Sequence, residues 1–281
     1  MHLRRIRHQG TTSVGLVEGE TIRLLGLPTP NPLSHVLHSA DPAAMVRKAP
    51  TTATVPLAGA ETLPPLDEQE VWAAGVTYIR SKVAREEESA GSGGARFYDM
   101  VYTADRPELF FKAPASRVIA DKGTVRIRRD ARWSVPEPEL ALVVSPAGKI
   151  VGYTAGNDMS SRDIEGVNPL YLPQAKFYDG ACAIGPGVTL AGFLPPPAEV
   201  VIRVGIAREG KTVFGGSTSL AAMKRSLEEL VSWLYRETSF PNGAILLTGT
   251  GVVPPDDFTL ALGDIVTIDI AGVGRLVNTV G

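Results

Sequence analysis

The amino-acid sequence predicts a mainly β fold of the α+β class, with a small N-terminal domain over residues 1–65 and a larger body over 66–281. Three observations carry that expectation. Most apolar residues fall in short runs or alternations bounded by Gly, Pro, Asn or Asp, the pattern of strands and turns. Only one stretch, 219–238, places apolar residues at clear helical spacing: Leu220, Met223, Leu227, Leu230, Val231 and Leu234. The Pro pair in TLPPLDEQE, at 62–70, reads as a linker between the two pieces. At 44% hydrophobic and 21% charged, the 281 residues match a globular chain able to bury a core without disulfide or metal staples.

Along the chain, SVGLVEG and ETIRLLGL read as a hairpin, and Asp41 before Pro42 reads as the N-cap of a short helix. VWAAGVTY at 71–78 reads as a strand. A charged, helix-prone stretch over 79–89 and the flexible AGSGGA at 90–95 follow, either as a solvated face or as a lid at the mouth of a site. From ELFFKAP onward strands dominate: GTVRIRR, LALVVSP, KIVGYTAGND, GVTLAG, EVVIRVGIAREGKTVFGG, AILLTGT, LGDIVTIDIAG and GRLVNTV.

Charge and composition exclude several classes. A net charge of −2 with no polybasic membrane signal leaves no footprint for non-specific nucleic-acid or anionic-lipid binding. No apolar run approaches the ~18 residues of a transmembrane helix, and the basic MHLRRIRHQG, with no apolar stretch behind it, does not read as a signal peptide. The lone Cys182 excludes an internal disulfide and a cysteine zinc site, so a reducing, cytoplasmic setting is expected. All four histidines, His2, His8, His35 and His38, precede residue 39, which leaves the body without a local histidine base.

Four segments offer chemistry instead. In WSVPEPELALVV, at 133–144, Glu137 and Glu139 share one strand face just before an apolar run. Spacing alone favours an exposed strand end with two solvated acids; a cation between them is the alternative. GYTAGNDMSSRD places Asp158 at a strand end, where it joins the two glutamates if the strands are neighbours, making a hard oxygen site suited to Mg²⁺, Mn²⁺ or Ca²⁺. Lys176, between small and aromatic residues in YLPQAKFYDGACAIGP, is either partly buried and fit for proton transfer, or a snorkelling surface lysine. The N–H groups of LLTGTG and Thr250 suit a carboxylate or phosphate, although a plain turn explains them equally.

Taken in order, GVTY, PELFFKAP, EPELALVV, GYTAGNDMSSRD, KFYDGACAIGP, LLTGTG and LGDIVTIDIAGVGRLVN resemble the fumarylacetoacetate hydrolase family over roughly residues 70–281. The resemblance implies a mixed β-sheet roll of that family's C-terminal type around a divalent metal, Mg²⁺ or Mn²⁺, and a homodimer. It implies Glu137, Glu139 and Asp158 as metal ligands, with Arg162, Lys176 and Thr250 lining the substrate site. Tyr78 and Lys112 are further candidates for substrate binding.

One departure redirects the expected chemistry. Family members that cleave C–C bonds carry a pattern like GLNYxxH, whereas GVTYIRS puts Ser81 where that histidine stands. The run from VPEPELALVV to CAIGP instead resembles the 2-keto-3-deoxy sugar acid dehydratases of the family, of the 2-keto-3-deoxy-D-arabinonate type. There the metal chelates the substrate's carboxylate and 2-keto oxygen and stabilises an enolate, a base removes a C3 proton, and the C4 hydroxyl leaves. Elimination needs a base and an acid but no attacking water. Lys176 is the expected handler of the C3 proton or enolate oxygen, and Glu108 in RPELFFK the expected acid. The alternatives are a hydrolase of 2,4-diketo acids with a base at Glu86, Glu87 or Glu88, an oxaloacetate-type decarboxylase, and a non-catalytic sugar-acid binding protein.

Overall fold

The computed structural model describes residues 1–28, 30–79 and 100–281; Arg80, Ser81, the glutamates at 86–88 and the AGSGGA stretch lie outside the described residues. The first 65 residues supply β1 (His2–His8), β2 (Thr11–Glu18), β3 (Thr21–Leu25), β4 (Thr51–Pro56) and β5 (Glu61–Thr62). Then come β6 (Glu70–Gly75), β7 (Glu108–Ala113), β8 (Thr124–Val125), β9 (Ser134–Val135), β10 (Pro138–Val144), β11 (Ile150–Asp158) and β12 (Ser160–Ser161). The chain closes with β13 (Cys182–Leu190), β14 (Val201–Arg208), β15 (Lys211–Ser219), β16 (Ala244–Leu247), β17 (Ile265–Ile270) and β18 (Gly274–Val280).

Among the described residues these strands form a long mixed sheet, β4-β3-β2-β1-β13-β11-β10-β16-β6-β7 with β5 beside β1, and a smaller one, β15-β14-β17-β18-β8, while β9 pairs with β12. The run PELALVV of β10 is buried on both faces, which is why it reads as near-continuous apolar sequence. Leu140, Leu142 and Val144 face a core shared with Ile202, Val204, Val266 and Ile268 of the smaller sheet. Ala141 and Val143 face a second core capped by Leu33, Val36, Leu37 and Val46 of two short helices, Pro32–Leu37 and Pro42–Lys48. Asp41 caps the second of these as expected, accepting from the Ala44 N–H at 2.8 Å.

The predicted helix over 219–238 is corrected. Only Leu227–Leu234 is α-helical, started by Ser226, whose Oγ accepts from the Glu229 N–H at 3.0 Å. β15 runs on to Ser219, Leu220–Ala222 form one 3₁₀ turn, and Met223 makes a bridge with Tyr78. Tertiary partners therefore claim the backbone that the apolar spacing assigned to a helix. Leu220 and Met223 still pack against the main core, Leu220 from the 3₁₀ turn and Met223 from the bridge to Tyr78.

The first 65 residues are tied to the rest by polar contacts as well as by the β1–β13 ladder. Gln69, 2% exposed, accepts from the Asp67 N–H at 2.7 Å and donates to Ser34 Oγ at 2.8 Å and to the Asn242 carbonyl at 2.9 Å. Gln69→Leu keeps the volume but orphans a buried donor and acceptor, so unfolding in urea is expected to show a loss of about 1–3 kcal/mol. On β1, the His2 ring sits 3.1 Å from Thr189 Oγ1, and burial, aided by Arg4 and the terminal amine, lowers its pKa from 6.5 to about 4. The unfolded chain thus takes up a proton in that window that the folded chain refuses, and stability falls as pH drops from 6.5 to about 4. His2→Gln is expected to flatten this slope in unfolding curves compared at about pH 5 and about pH 7.

Candidate metal centre

Two neighbouring strands bring three carboxylates together. Glu137 and Asp158 sit directly opposite each other where β10 meets β11, exchanging both backbone hydrogen bonds at 3.2 and 3.0 Å. Glu139, two residues along β10, returns to the same face and pairs across to Gly156. Pro138, between the two glutamates, lies where β16 has not yet begun to pair with β10, so its missing N–H costs no ladder bond there. Ligand oxygens of Glu137, Glu139 and Asp158 all lie within 4.8 Å of one another, and each side chain is buried.

Three cationic side chains surround them. Arg162, in the first turn of the helix Arg162–Val167, places Nη2 2.9 Å from Glu137 Oε1. Lys176, at the end of the helix Leu172–Lys176, is 1% exposed, so the buried reading of this lysine holds. Its Nζ donates to Glu137 Oε2 at 2.8 Å and to Asp158 Oδ2 at 3.2 Å. Lys112, on β7, pairs its Nζ with Asp158 Oδ1 and donates to the carbonyls of Met159 at 2.9 Å and Lys176 at 2.5 Å. All of these Lys112 contacts are to the protein itself, which makes it a strut between Asp158 and the segment carrying Lys176.

The remaining candidates sit around this cluster. The Gly249 N–H donates to Glu139 Oε2 at 2.6 Å, so the carboxylate received by the LLTGTG backbone is the chain's own. Gly249 has φ +91°, and a Cβ there would strike Thr77 Oγ1, so the position takes only glycine. Thr250 is buried and its Oγ1 donates to the Val252 carbonyl at 3.0 Å. Tyr78 is buried with its ring against Gly251, and burial, reinforced by Glu139, pushes its phenol pKa up. Glu108 opens β7 opposite Gly75, and its carboxyl lies where a side chain at Gly75 would stand. Thr77 and Glu165 were not legible in the sequence. Thr77 Oγ1 donates to the Thr248 carbonyl at 2.6 Å, and the fully buried Glu165 accepts from Ser160 Oγ at 3.1 Å. Only a glutamate facing inward on a short helix could have flagged the second, and six residues of helix are too few to show a period.

The electrostatics fit a divalent cation. Burial first, then the charges of Asp158 and Glu137, hold the Glu139 carboxyl well above the ordinary range, against the opposing pull of Lys176 and the Gly249 N–H. Carboxylates that repel one another in a dry pocket are stabilised by a positive ion between them, and an all-oxygen donor set selects a hard one. The same enclosure suits an acidic keto compound, whose negative charge would meet Lys176 and Arg162.

The comparisons with known proteins agree with this geometry. Residues 70–281 match the family model described as fumarylacetoacetate (FAA) hydrolase C-terminal, and residues 1–65 match one described as Rv2993c-like, N-terminal. A Haloferax volcanii protein named "Probable 2-keto-3-deoxyxylonate dehydratase" is 50% identical over 216 residues, 77% of this chain and 73% of that protein. The 2-dehydro-3-deoxy-D-arabinonate dehydratase of Saccharolobus solfataricus is 42% identical over 217 residues, again 77% and 73%. A solved structure described as 2-keto-3-deoxy-D-arabinonate dehydratase complexed with magnesium and 2,5-dioxopentanoate superposes with a TM-score of 0.85 at 34% identity, covering 100% of this chain and 98% of that one. With a mixed β architecture built around the triad and a family match over three quarters of its length, the chain belongs to the fumarylacetoacetate hydrolase family.

Proposed function

We propose that this chain is a magnesium-dependent dehydratase of a 2-keto-3-deoxy pentonate, releasing one water and giving 2-oxoglutarate semialdehyde, which is 2,5-dioxopentanoate. The observation that carries the reading is the buried set of Glu137, Glu139 and Asp158 with Lys176 bridging two of them. Dehydratase relatives that share most of the chain support it. The three carboxylates would hold the Mg²⁺, or Mn²⁺ in its place, and such an ion supplies Lewis-acid polarisation of a 2-keto acid.

The chain's own groups then divide the work. Arg162, anchored on Glu137, and Lys176 present positive charge to the substrate's carboxylate and keto end. Lys176, as the neutral amine, takes the C3 proton and becomes the ammonium that donates to Glu137 and Asp158 at 2.8 and 3.2 Å. Glu108 protonates the hydroxyl leaving C4, so the C3–H and C4–O bonds break and one water departs. Tautomerisation of the remaining CH₂OH end yields the aldehyde. Lys112 and the Gly249 N–H hold Asp158 and Glu139 in place, and Tyr78 and Thr250 line the pocket around them. The absence of histidine after His38 suits elimination over hydrolysis, because no step requires an activated water. No helix among the described residues is long and apolar enough to cross a membrane. A cytoplasmic homodimer built from a domain of residues 1–65 and one of 66–281 completes the reading.

Proton NMR of the Mg²⁺-loaded protein with 2-keto-3-deoxy-D-arabinonate and its L enantiomer in D₂O tests this directly. Semialdehyde is expected to appear and to be abolished by EDTA; substrate that neither turns over nor exchanges its C3 protons would sink the reading. Glu139→Gln should weaken Mn²⁺ binding, read by the electron paramagnetic resonance of free Mn²⁺. Lys176→Ala should lose C3 exchange and dehydration together, whereas Glu108→Gln should keep exchange and lose dehydration by about 100-fold or more, the usual worth of a general acid.

A further inference from the structure

The residues that break the expected helix over 219–238 have a task of their own. Met223, Lys224 and Arg225 grip both ends of the stretch that leaves the sheet after β6 and returns to it at β7. At the outgoing end, Met223 bridges Tyr78, and the Lys224 N–H donates to the Thr77 carbonyl at 2.9 Å. At the returning end, Lys224 Nζ donates to the Tyr102 carbonyl and lies 4.3 Å from the centre of that ring. Arg225 donates to the carbonyls of Ala104 at 2.6 Å, Asp105 at 2.9 Å and Val101 at 3.3 Å. Its Nη1 also donates to Glu229 Oε1 at 2.5 Å. Arg225 is only 7% exposed, an unusual burial for an arginine whose partners are mostly backbone carbonyls.

Both ends lead into the site. Thr77 holds the Thr248 carbonyl, and the next residue's N–H holds Glu139. On the other side, Asp105 is three residues from Glu108, so the grip on Asp105 confines that glutamate to within about 10 Å of chain. Glu108 in turn lies opposite Gly75, two residues before Thr77. One three-residue segment therefore sets the distance between the strand end that carries Glu108 and the loop that steadies Glu139.

We propose that Arg225, oriented by Glu229, is a positioning residue for the dehydration: it fixes the return of the chain into β7 and thereby places the Glu108 carboxyl over the substrate's C4. The inference rests on the dehydratase reading given above. Arg225 touches neither the three carboxylates nor Lys176, so it acts on the acid side of the reaction and leaves the C3 proton step alone. A planar guanidinium with five donors can hold three carbonyls and a carboxylate at once, whereas an ammonium offers three donors from a single point.

The test compares two rates in one sample: C3 proton exchange with D₂O, and formation of 2,5-dioxopentanoate, with Mg²⁺ and 2-keto-3-deoxy-D-arabinonate. Arg225→Met is expected to lower dehydration by about 10- to 100-fold, the effect of misplacing a catalytic group by roughly 1 Å. C3 exchange and Mn²⁺ affinity should stay near wild type, so the ratio of exchange to dehydration rises as it does in Glu108→Gln. Arg225→Lys, the milder change, should fall between Arg225→Met and wild type, and Glu229→Ala should move the ratio in the same direction. Equal loss of exchange and dehydration would make Arg225 merely structural and overturn the proposal, as would an unchanged ratio in Arg225→Met. A wild-type protein that neither exchanges nor dehydrates would instead fail the dehydratase reading itself.

Discussion

Burial of six ionisable side chains in one place is the constraint around which the molecule is arranged. Three carboxylates and three cationic side chains interlock at the meeting of β10 and β11, each at most 3% exposed. An isolated buried charge costs several kcal/mol, and a buried pair holds only when its geometry and hydrogen bonds are good. That requirement explains the local architecture. The two strands must pair in one register for Glu137 to face Asp158, since a shift by one residue would turn Glu139 and Asp158 to opposite faces. Lys112 and Lys176 must come from different elements to approach Asp158 from two sides. The neighbouring backbone contributes as well, through the Gly249 N–H and the carbonyls of Met159 and Lys176.

Cations already counterbalance the carboxylates, which bears on how a divalent ion enters. Lys176 occupies hydrogen-bonding positions on two of the three prospective ligands. A divalent ion bound among these oxygens would compete with the Lys176 ammonium for the same acceptors. The raised pKa of Glu139 comes first from burial and then from the charges of Asp158 and Glu137, which Lys176 and the Gly249 N–H only partly oppose.

Much of this was legible in the amino-acid sequence. Strands alternate with glycine and proline punctuation, and the two-residue spacing of Glu137 and Glu139 gives a shared face on any strand. What spacing alone favoured, two solvated acids, was wrong in burial, because a strand end is exposed only if nothing packs over it. Here the 158–176 segment does, and that is a long-range fact. The helix over 219–238 was overread for a related reason: apolar residues at helical intervals record which positions are buried, and here a strand end, a 3₁₀ turn and a bridge to Tyr78 bury the first of them. The engagement of the Lys112 amine by Asp158 and two carbonyls had no local sign, because all three partners come from distant segments.

The antiparallel contact between β1 and β13 has a bearing on how one edge of the sheet is kept from pairing with other molecules. β13 is buried along its whole length and pairs with β11 on one side; at its other side, Leu3 and His2 meet Val188 and Thr189, while Ile119 covers Ala183. Without the first strand, the end of a long, apolar strand would present unpaired N–H and C=O groups, a template for edge-to-edge pairing with other molecules. The outermost strand of the sheet is then β4, whose burial alternates and whose sequence is short and polar, TTATVP with a proline at its end. The N-terminal strands thus move the edge on this side of the sheet from the buried, apolar β13 to the short, polar β4, whatever the site does.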